Sequence, residues 1–199
     1  MQDDSLPKRR SIRLRGYDYS LPGAYFLTLC AHQREILFGE IVKGQLTLNQ
    51  FGRTVREELL RTAELRAGVQ IECFVIMPNH IHFVLVLHKT LQSKAGDLPV
   101  APTARSPRGP GSGTVGAIIA QFKAASARRV NQLRGTLGAP LWQRNYYEHV
   151  IRTPKAFAQI QRYIAENLLR WAYDHENPAC DRKEADDLHS ILSADKPQP

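Results

Sequence analysis

The sequence predicts a small α+β protein in which one antiparallel sheet carries helices on one face and leaves the other face available. Three observations lead to this fold class. Short segments rich in β-branched and aromatic residues are separated by turns, which is typical of strands. Three longer segments repeat apolar residues at helical spacing. The predicted order is strand, hairpin, helix, two strands, helix and a further helix, and a sheet covered by helices fits this order.

Size and composition limit the class of protein. The chain of 199 residues can build one hydrophobic core, and its apolar fraction of 43% is ordinary for a globular protein. No apolar run reaches the ~20 residues that a membrane span needs, and the polar N-terminus lacks the apolar core of a secretory signal. The three cysteines are scattered without CxxC spacing, which predicts reduced thiols. We therefore expect a cytoplasmic protein that does not contact membranes.

The first half of the chain is predicted to contain five strands and a helix. Lys43-Gly44 lies at the centre of an alternating segment, which indicates a tight hairpin turn. Asn49 is a suitable N-cap for the helix that follows. The predicted elements are a basic arm over 1–20, a strand over 24–30, a hairpin over 36–48, a helix over 49–65 and strands over 69–77 and 80–87.

The second half begins with a change in composition. Residues 89–113 are rich in Pro, Gly, Ser, Ala and Arg, which predicts a flexible loop. Thr114 is suited to cap a helix that ends at Gly135, and Thr153-Pro154 places a cap and a first-turn proline at the start of another. The remaining predictions are mixed strand and loop over 140–152, a disordered tail over 179–199 and a single domain over 21–178.

The net charge of +8 favours a polyanionic partner. Basic residues form three groups along the chain, and aromatic residues interleave with two of them. This pattern suits a phosphate backbone whose unpaired bases can stack, although each residue could instead be a solvated charge or a core aromatic. The candidate DNA contacts are Arg9, Arg10, Arg13, Arg15, Lys123, Arg128, Arg129, Arg144, Tyr146, Tyr147 and Arg152.

Two histidines lie one residue apart in an apolar segment. Because side chains alternate along a strand, His80 and His82 project from the same face while Ile81 points away. Two adjacent imidazoles can hold one metal ion and leave its other positions open. The alternative is a pair of core histidines that only form hydrogen bonds. A third ligand and a nucleophile would favour the metal site.

The last predicted helix offers both a candidate third ligand and a candidate nucleophile. Tyr163 and Asn167 are four residues apart, so their side chains share one line of the helix. This line runs beside the apolar stripe that contains Ile160 and Ile164, which predicts that both residues lie at the rim of the sheet. The amide oxygen of asparagine suits Mg²⁺ or Mn²⁺ together with imidazole nitrogens. An interfacial tyrosine and a solvated asparagine would show the same spacing.

Three motifs in this order resemble a known family. They are Met77-Pro-Asn-His80-Ile-His82, the segment Trp142-Gln-Arg-Asn-Tyr-Tyr-Glu-His149-Val-Ile-Arg152, and Tyr163-Ile-Ala-Glu-Asn167. Together they resemble the single-tyrosine HUH transposases of the IS200-like group, in particular its REP-associated tyrosine transposase branch. The basic segment 9–19 and Gly39-Glu40-Ile41 are also similar to that branch. The resemblance extends over 8–178 and is interrupted by the loop at 89–113.

The resemblance implies a ferredoxin-like, RRM-like sheet with the histidine pair on a central strand. It also implies that His80, His82 and Asn167 bind Mg²⁺ or Mn²⁺ and that Tyr163 is the nucleophile. One departure is that the branch usually reads Asn-Pro where this chain has Asn167-Leu168, so the helix could continue past the ligand. His149 and Glu148 are rival third ligands, disfavoured because neither shares a helix turn with Tyr163.

The function that the resemblance implies is metal-dependent cleavage and rejoining of single-stranded DNA at hairpin-forming repeats. The intermediate would be a 5′-phosphotyrosine link, and its stored ester bond removes the need for an energy source, in keeping with the lack of a GxxxxGK[ST] phosphate loop. The alternatives are a catalytically silent DNA-binding module of the same fold and a metal-dependent hydrolase. Either a monomer or a homodimer fits the sequence.

Overall fold

The computed structural model describes residues 17–89, 113–174 and 176–180. The candidate contacts Arg9, Arg10, Arg13 and Arg15 lie outside this range, as do most of the loop at 89–113 and most of the tail at 179–199. The elements in chain order are β1 (Gly23–Cys30), β2 (Gly39–Val42), β3 (Gln45–Leu48), α1 (Gln50–Glu64), β4 (Val69–Ile76), β5 (His80–Leu87), α2 (Val115–Leu133), β6 (Tyr147–Ile151) and α3 (Pro154–Glu166).

The main sheet has the strand order β4-β5-β1-β6, and every neighbouring pair is antiparallel. Without the small β2–β3 hairpin, the chain runs strand, helix, strand, strand, helix, strand. This succession with these neighbours is the ferredoxin-like arrangement. The predicted fold class is therefore confirmed, and β5, which begins with the histidine pair, is a central strand.

Local sequence explains where the elements begin and turn. Lys43 and Gly44 have φ values of 51° and 74°, as the centre of a tight hairpin of the type I′ class requires. Asn49 caps α1, since its side-chain oxygen accepts hydrogen bonds from two backbone N–H groups of the first turn. Thr114 and Thr153 cap α2 and α3 in the same way, each accepting from one backbone N–H.

The two faces of the sheet bury different clusters. Tyr25, Leu27 and Leu29 of β1 join α1 and α2 in the larger core. Phe26 and Val84 point to the opposite face and join the apolar side of α3. Thus α1 and α2 share one face as predicted, and α3 covers part of the face that the sequence leaves available. Its stripe of buried residues at helical spacing requires such a cover.

The chain after α3 folds back toward the sheet. The helix ends at Glu166 and does not continue through Leu168, although no proline stops it. Tight i→i+3 hydrogen bonds replace the helical pattern, for example from the N–H of Arg170 to the carbonyl of Asn167 at 3.1 Å. A short 3-10 helix over Trp171–Tyr173 follows. These turns bring Asp174 and Glu176, which we call the C-terminal segment, next to the start of β5.

Two further expectations concern cysteines and membranes. All three cysteines are reduced in the structure, as their spacing predicted. Within the described ranges, the helices are too short or too polar for any of them to cross a bilayer.

Candidate metal centre and nucleophile

The orientation of His80 is fixed by its neighbour Asn79. The amide nitrogen of Asn79 donates to the carbonyls of Arg34 at 3.2 Å and Glu176 at 2.6 Å, so its oxygen must face the other way. That oxygen is 2.8 Å from Nδ1 of His80 and therefore accepts its N–H. The lone pair of His80 is then on Nε2, a fully buried atom with no hydrogen-bond partner among the described residues.

His82 is held by a second polar contact. Its Nδ1 is 2.7 Å from the hydroxyl of Thr28, the residue opposite it on β1. If Nδ1 donates to this oxygen, the lone pair of His82 also lies on Nε2. Partners of this kind fix the tautomer and direction of metal-binding histidines. The ring centroids of His80 and His82 are 4.5 Å apart, so the two imidazoles share one small space.

Both imidazoles are neutral at physiological pH. Burial lowers the pKa of His80 to about 3, with a smaller contribution from the positive charge of Arg34. Burial also lowers the pKa of His82 to about 3, and the neighbouring His80 acts in the same direction. Neutral imidazole is the form that binds metal ions, so these shifts keep both nitrogens available as ligands.

Tyr163 lies above the central strands, not at the rim of the sheet. Its hydroxyl is 3.4 Å from Nε2 of His82, and the two ring centroids are 5.3 Å apart. The Tyr163 ring also packs edge-on against Phe26 at 6.1 Å. The side chain is 8% exposed, so the phenol is held firmly beside the histidine pair. The register of α3 on the sheet produces this placement, which helical spacing alone does not define.

Asn167 and Asp174 complete the group. The amide nitrogen of Asn167 donates to Oδ2 of Asp174 at 3.2 Å, which leaves its Oδ1 buried without a partner in the described part of the chain. The same Asp174 oxygen is 3.7 Å from Nε2 of His80. Ligand atoms of His80, His82 and Asp174 all lie within 4.8 Å of one another, so these three residues could hold a metal ion.

The structure brings together the four residues that the sequence singled out and adds three that it missed: Asp174, Asn79 and Thr28. Of the rival third ligands, Glu148 pairs with Leu27 and points to the opposite face. His149 shares the face of the pair but lies opposite Phe26, and it is not in the metal-binding group. Asn79 directly precedes His80 in the motif Met77-Pro-Asn-His80-Ile-His82, which is a signal that could have identified it from the sequence.

The donors present fit a divalent cation. Two neutral imidazole nitrogens and a carboxylate oxygen lie within 4.8 Å of one another, and the amide of Asn167 contacts the carboxylate. Nε2 of His80 and Oδ1 of Asn167 have no donor in the described chain. Buried acceptors are normally satisfied, so such a cluster of lone pairs is destabilising on its own. A mixture of imidazole nitrogens and hard oxygens suits Mn²⁺ and Mg²⁺ among the divalent ions.

The candidate DNA contacts differ in how they are engaged. The guanidinium of Arg129 is 2.7 Å from both Glu57 and Glu58, so it joins α2 to α1. Tyr147 packs against Phe26 on the face of α3, and burial raises its pKa. The other candidate arginines that lie in the described range are exposed: Arg128, Arg144 and Arg152.

Lys123 supports the segment that carries Arg144. Its ammonium nitrogen contacts three successive backbone carbonyls, those of Gln143 at 2.5 Å, Arg144 at 3.2 Å and Asn145 at 3.4 Å. The same nitrogen lies 5.8 Å from the centre of the Tyr146 ring. Burial lowers the pKa of Lys123 to about 8. These contacts indicate a positioning role for the ammonium.

We expect Lys123→Met to lower the free energy of unfolding by about 1.5–3 kcal/mol, because carbonyls that had a charged donor lose it. Urea denaturation measures this change. Arg128→Met is the matched control, since Arg128 is exposed on the same helix, and it should leave the unfolding free energy within about 0.5 kcal/mol of wild type. Equal effects of the two variants would contradict the positioning role.

Comparisons with known proteins agree with the fold. A solved REP-associated tyrosine transposase bound to a REP hairpin superimposes with a TM-score of 0.52 and 18% identity, over 81% of this chain and 74% of that one. A candidate transposase from Deinococcus radiodurans superimposes with a TM-score of 0.43 and 20% identity, over 77% and 95%. The superposition on the REP-associated tyrosine transposase shows that the chain has the IS200-like transposase fold.

Sequence identity to a known protein shows the family of this chain. An uncharacterised protein of Haemophilus influenzae (strain ATCC 51907 / DSM 11121 / KW20 / Rd) is 38% identical over 170 residues, which cover 83% of this chain and 91% of the relative. The chain belongs to the same family as this Haemophilus influenzae protein. No protein-family model matches the chain.

Proposed function

We propose that this protein is a metal-dependent tyrosine transposase that cleaves and rejoins single-stranded DNA through a 5′-phosphotyrosine intermediate. The observation that carries the proposal is the 3.4 Å distance between the hydroxyl of Tyr163 and Nε2 of His82. A nucleophile from α3 and imidazole ligands from β5 meet on one face of the sheet, although they are 81 residues apart in the chain. The transposase fold of the chain supports the same assignment.

The proposed ligands are His80, His82 and Asn167. A bound Mg²⁺ or Mn²⁺ would neutralise charge on the phosphate oxygens and act as a Lewis acid. The packing of Tyr163 against His82 and Phe26 holds its oxygen in one place, which reduces the entropic cost of attack. Asn79 and Thr28 hold the two imidazoles in the orientation that presents Nε2.

The proposed reaction forms one bond and breaks one. The phenol oxygen of Tyr163 attacks phosphorus, the bond from phosphorus to the 3′ oxygen breaks, and the DNA is left with a 3′-hydroxyl and a 5′-phosphotyrosine. The phenol loses one proton and the 3′ oxygen gains one, so the step balances. Because the phosphoester bond is conserved, attack by the 3′-hydroxyl of another strand reverses the step and joins DNA.

The proposed substrate is single-stranded DNA beside a folded hairpin. The fold relative solved with a REP hairpin supports this choice, and so does the net charge of +8. Among the described residues, we propose phosphate and base contacts by Arg144, Tyr146 and Arg152, on or next to the strand that borders β1. The three reduced cysteines are compatible with a reducing cytoplasm, where we propose that the protein acts.

The test is a covalent-adduct assay. We expect that incubation with an end-labelled single-stranded hairpin and Mn²⁺ produces a protein band that retains the label on a denaturing gel, and that EDTA abolishes this band. Cleaved DNA without attached protein would identify a hydrolase. DNA binding that needs no metal, with no cleavage, would identify the silent binding module. Either of these outcomes would overturn the proposal.

A further inference from the structure

We infer that Asp174 is a fourth protein ligand of the metal, supplied by the C-terminal segment. The inference rests on the proposed function and deepens it, since it assigns a carboxylate to the same site. The donor set then becomes two imidazoles, one amide oxygen and one carboxylate. Six-coordinate cations such as Mn²⁺ would keep two positions for the oxygens of the phosphate and water.

Asp174 is a buried carboxylate with no cation in hydrogen-bonding contact among the described residues. Its side chain is 5% exposed, and Nε2 of His80 is the basic nitrogen that approaches it, at 3.7 Å, in the described part of the chain. This distance is too long for a hydrogen bond, which an imidazolium facing a carboxylate would form. A buried carboxylate without a cation is costly, and a divalent ion would compensate it.

The nearby Arg34 is already paired with another carboxylate. It lies 2.7 Å from Glu176, so that among the described residues Asp174 has no arginine as its counterion. Around Oδ2 of Asp174 lie Nε2 of His80 and the amide of Asn167, whose own Oδ1 has no partner in the described residues. The negative charge of Asp174 and the unpaired lone pair of His80 therefore lie close together.

Hydrogen bonds fix the position of the Asp174 carboxylate. The backbone N–H of Glu176 donates to Oδ1 of Asp174 at 2.7 Å, which leaves Oδ2 to face the imidazole. Asn79 donates to the carbonyl of Glu176 at 2.6 Å while it accepts from His80. One amide thus fixes both the His80 tautomer and the segment that supplies the carboxylate. Such preorganisation is expected of ligands and their supports.

The test measures Mn²⁺ binding alone, without DNA, by calorimetry and electron paramagnetic resonance. We expect wild type to bind one Mn²⁺ and Asp174→Asn to bind it about 10–100-fold more weakly or worse, because loss of a charged ligand costs at least as much as loss of a supporting residue. Asp174→Ala removes the carboxylate without adding an amide and should show the same loss. If the amide introduced in Asp174→Asn disturbs folding, Asp174→Ala still tests whether the carboxylate binds Mn²⁺.

Metal-free stability gives a second readout. We expect Asp174→Asn to raise the melting temperature in EDTA, because it removes an uncompensated buried charge and adds a donor near Nε2 of His80. A purely structural carboxylate predicts the opposite. Glu58→Gln is the matched control, because Glu58 is as buried as Asp174 but pairs with Arg129 at 2.7 Å. It should lower the melting temperature and leave Mn²⁺ affinity unchanged.

The outcomes separate the two proposals. If wild type binds no Mn²⁺, the metal site of the proposed function is wrong and this inference is wrong with it. If wild type binds Mn²⁺ and both Asp174 variants bind it equally well, Asp174 is not a ligand, while the proposed function stands.

Discussion

Tyr163→Phe should abolish the covalent protein–DNA adduct and leave the fold and Mn²⁺ affinity intact. The substitution removes one oxygen, the atom that lies 3.4 Å from Nε2 of His82. The ring remains and can keep its edge-on contacts with His82 and Phe26. Removal of an attacking oxygen commonly lowers turnover by about 10³-fold or more, which in this assay means no detectable labelled protein. The measurement is the denaturing gel with a labelled hairpin and Mn²⁺.

Tyr147→Phe is the control for this experiment. Tyr147 lies on the same face of the sheet and also packs edge-on against Phe26, with ring centroids 6.3 Å apart. Tyr147 pairs with Thr28 across β6 and β1, whereas the hydroxyl that lies next to Nε2 of His82 belongs to Tyr163. We expect the adduct of Tyr147→Phe to form as in wild type. An undiminished adduct in Tyr163→Phe would show that another residue attacks the DNA.

Features encoded by local chemistry could be predicted from the sequence. A short hairpin was expected around Lys43-Gly44, and the structure places the turn there, with both residues at positive φ. Asn49 and Thr153 were expected as caps because their side-chain oxygens can bind the N–H groups of a first turn. The alternation of a strand likewise placed His80 and His82 on one face.

The missed part of the site depends on contacts between distant segments. Asp174 lies 94 residues after His80, and no spacing rule connects a strand with a carboxylate beyond the next helices. Its position results from the end of α3 at Glu166 and from the tight turns that follow, which leave residues 171–173 as a 3-10 helix. The depth of Tyr163 was missed for a related reason: helical periodicity defines which side of α3 is buried, but the register of α3 on the sheet defines what that side contacts.

The metal-free protein should lose stability steeply as the pH falls below about 6.5. The pKa of His80 and that of His82 are lowered to about 3 by burial, whereas an unfolded chain has a histidine pKa of about 6.5. Between these values the unfolded chain binds more protons than the folded one, so the free energy of unfolding decreases with decreasing pH. Each imidazole contributes about 1.4 kcal/mol per pH unit in that range.

His82→Asn isolates this effect, because asparagine can keep a polar contact with Thr28 but does not titrate. Urea denaturation in EDTA at several values between pH 4 and 7 should give a pH slope smaller than that of wild type by about 1.4 kcal/mol per unit, the contribution of one proton. His88→Asn is the control, since His88 is exposed at the other end of β5 and contacts Gln70. If His82→Asn keeps the wild-type slope, the imidazole is not buried in its neutral form. A reduced slope would mean that the folded protein excludes a proton from Nε2, which is the condition for this nitrogen to serve as a ligand near neutral pH.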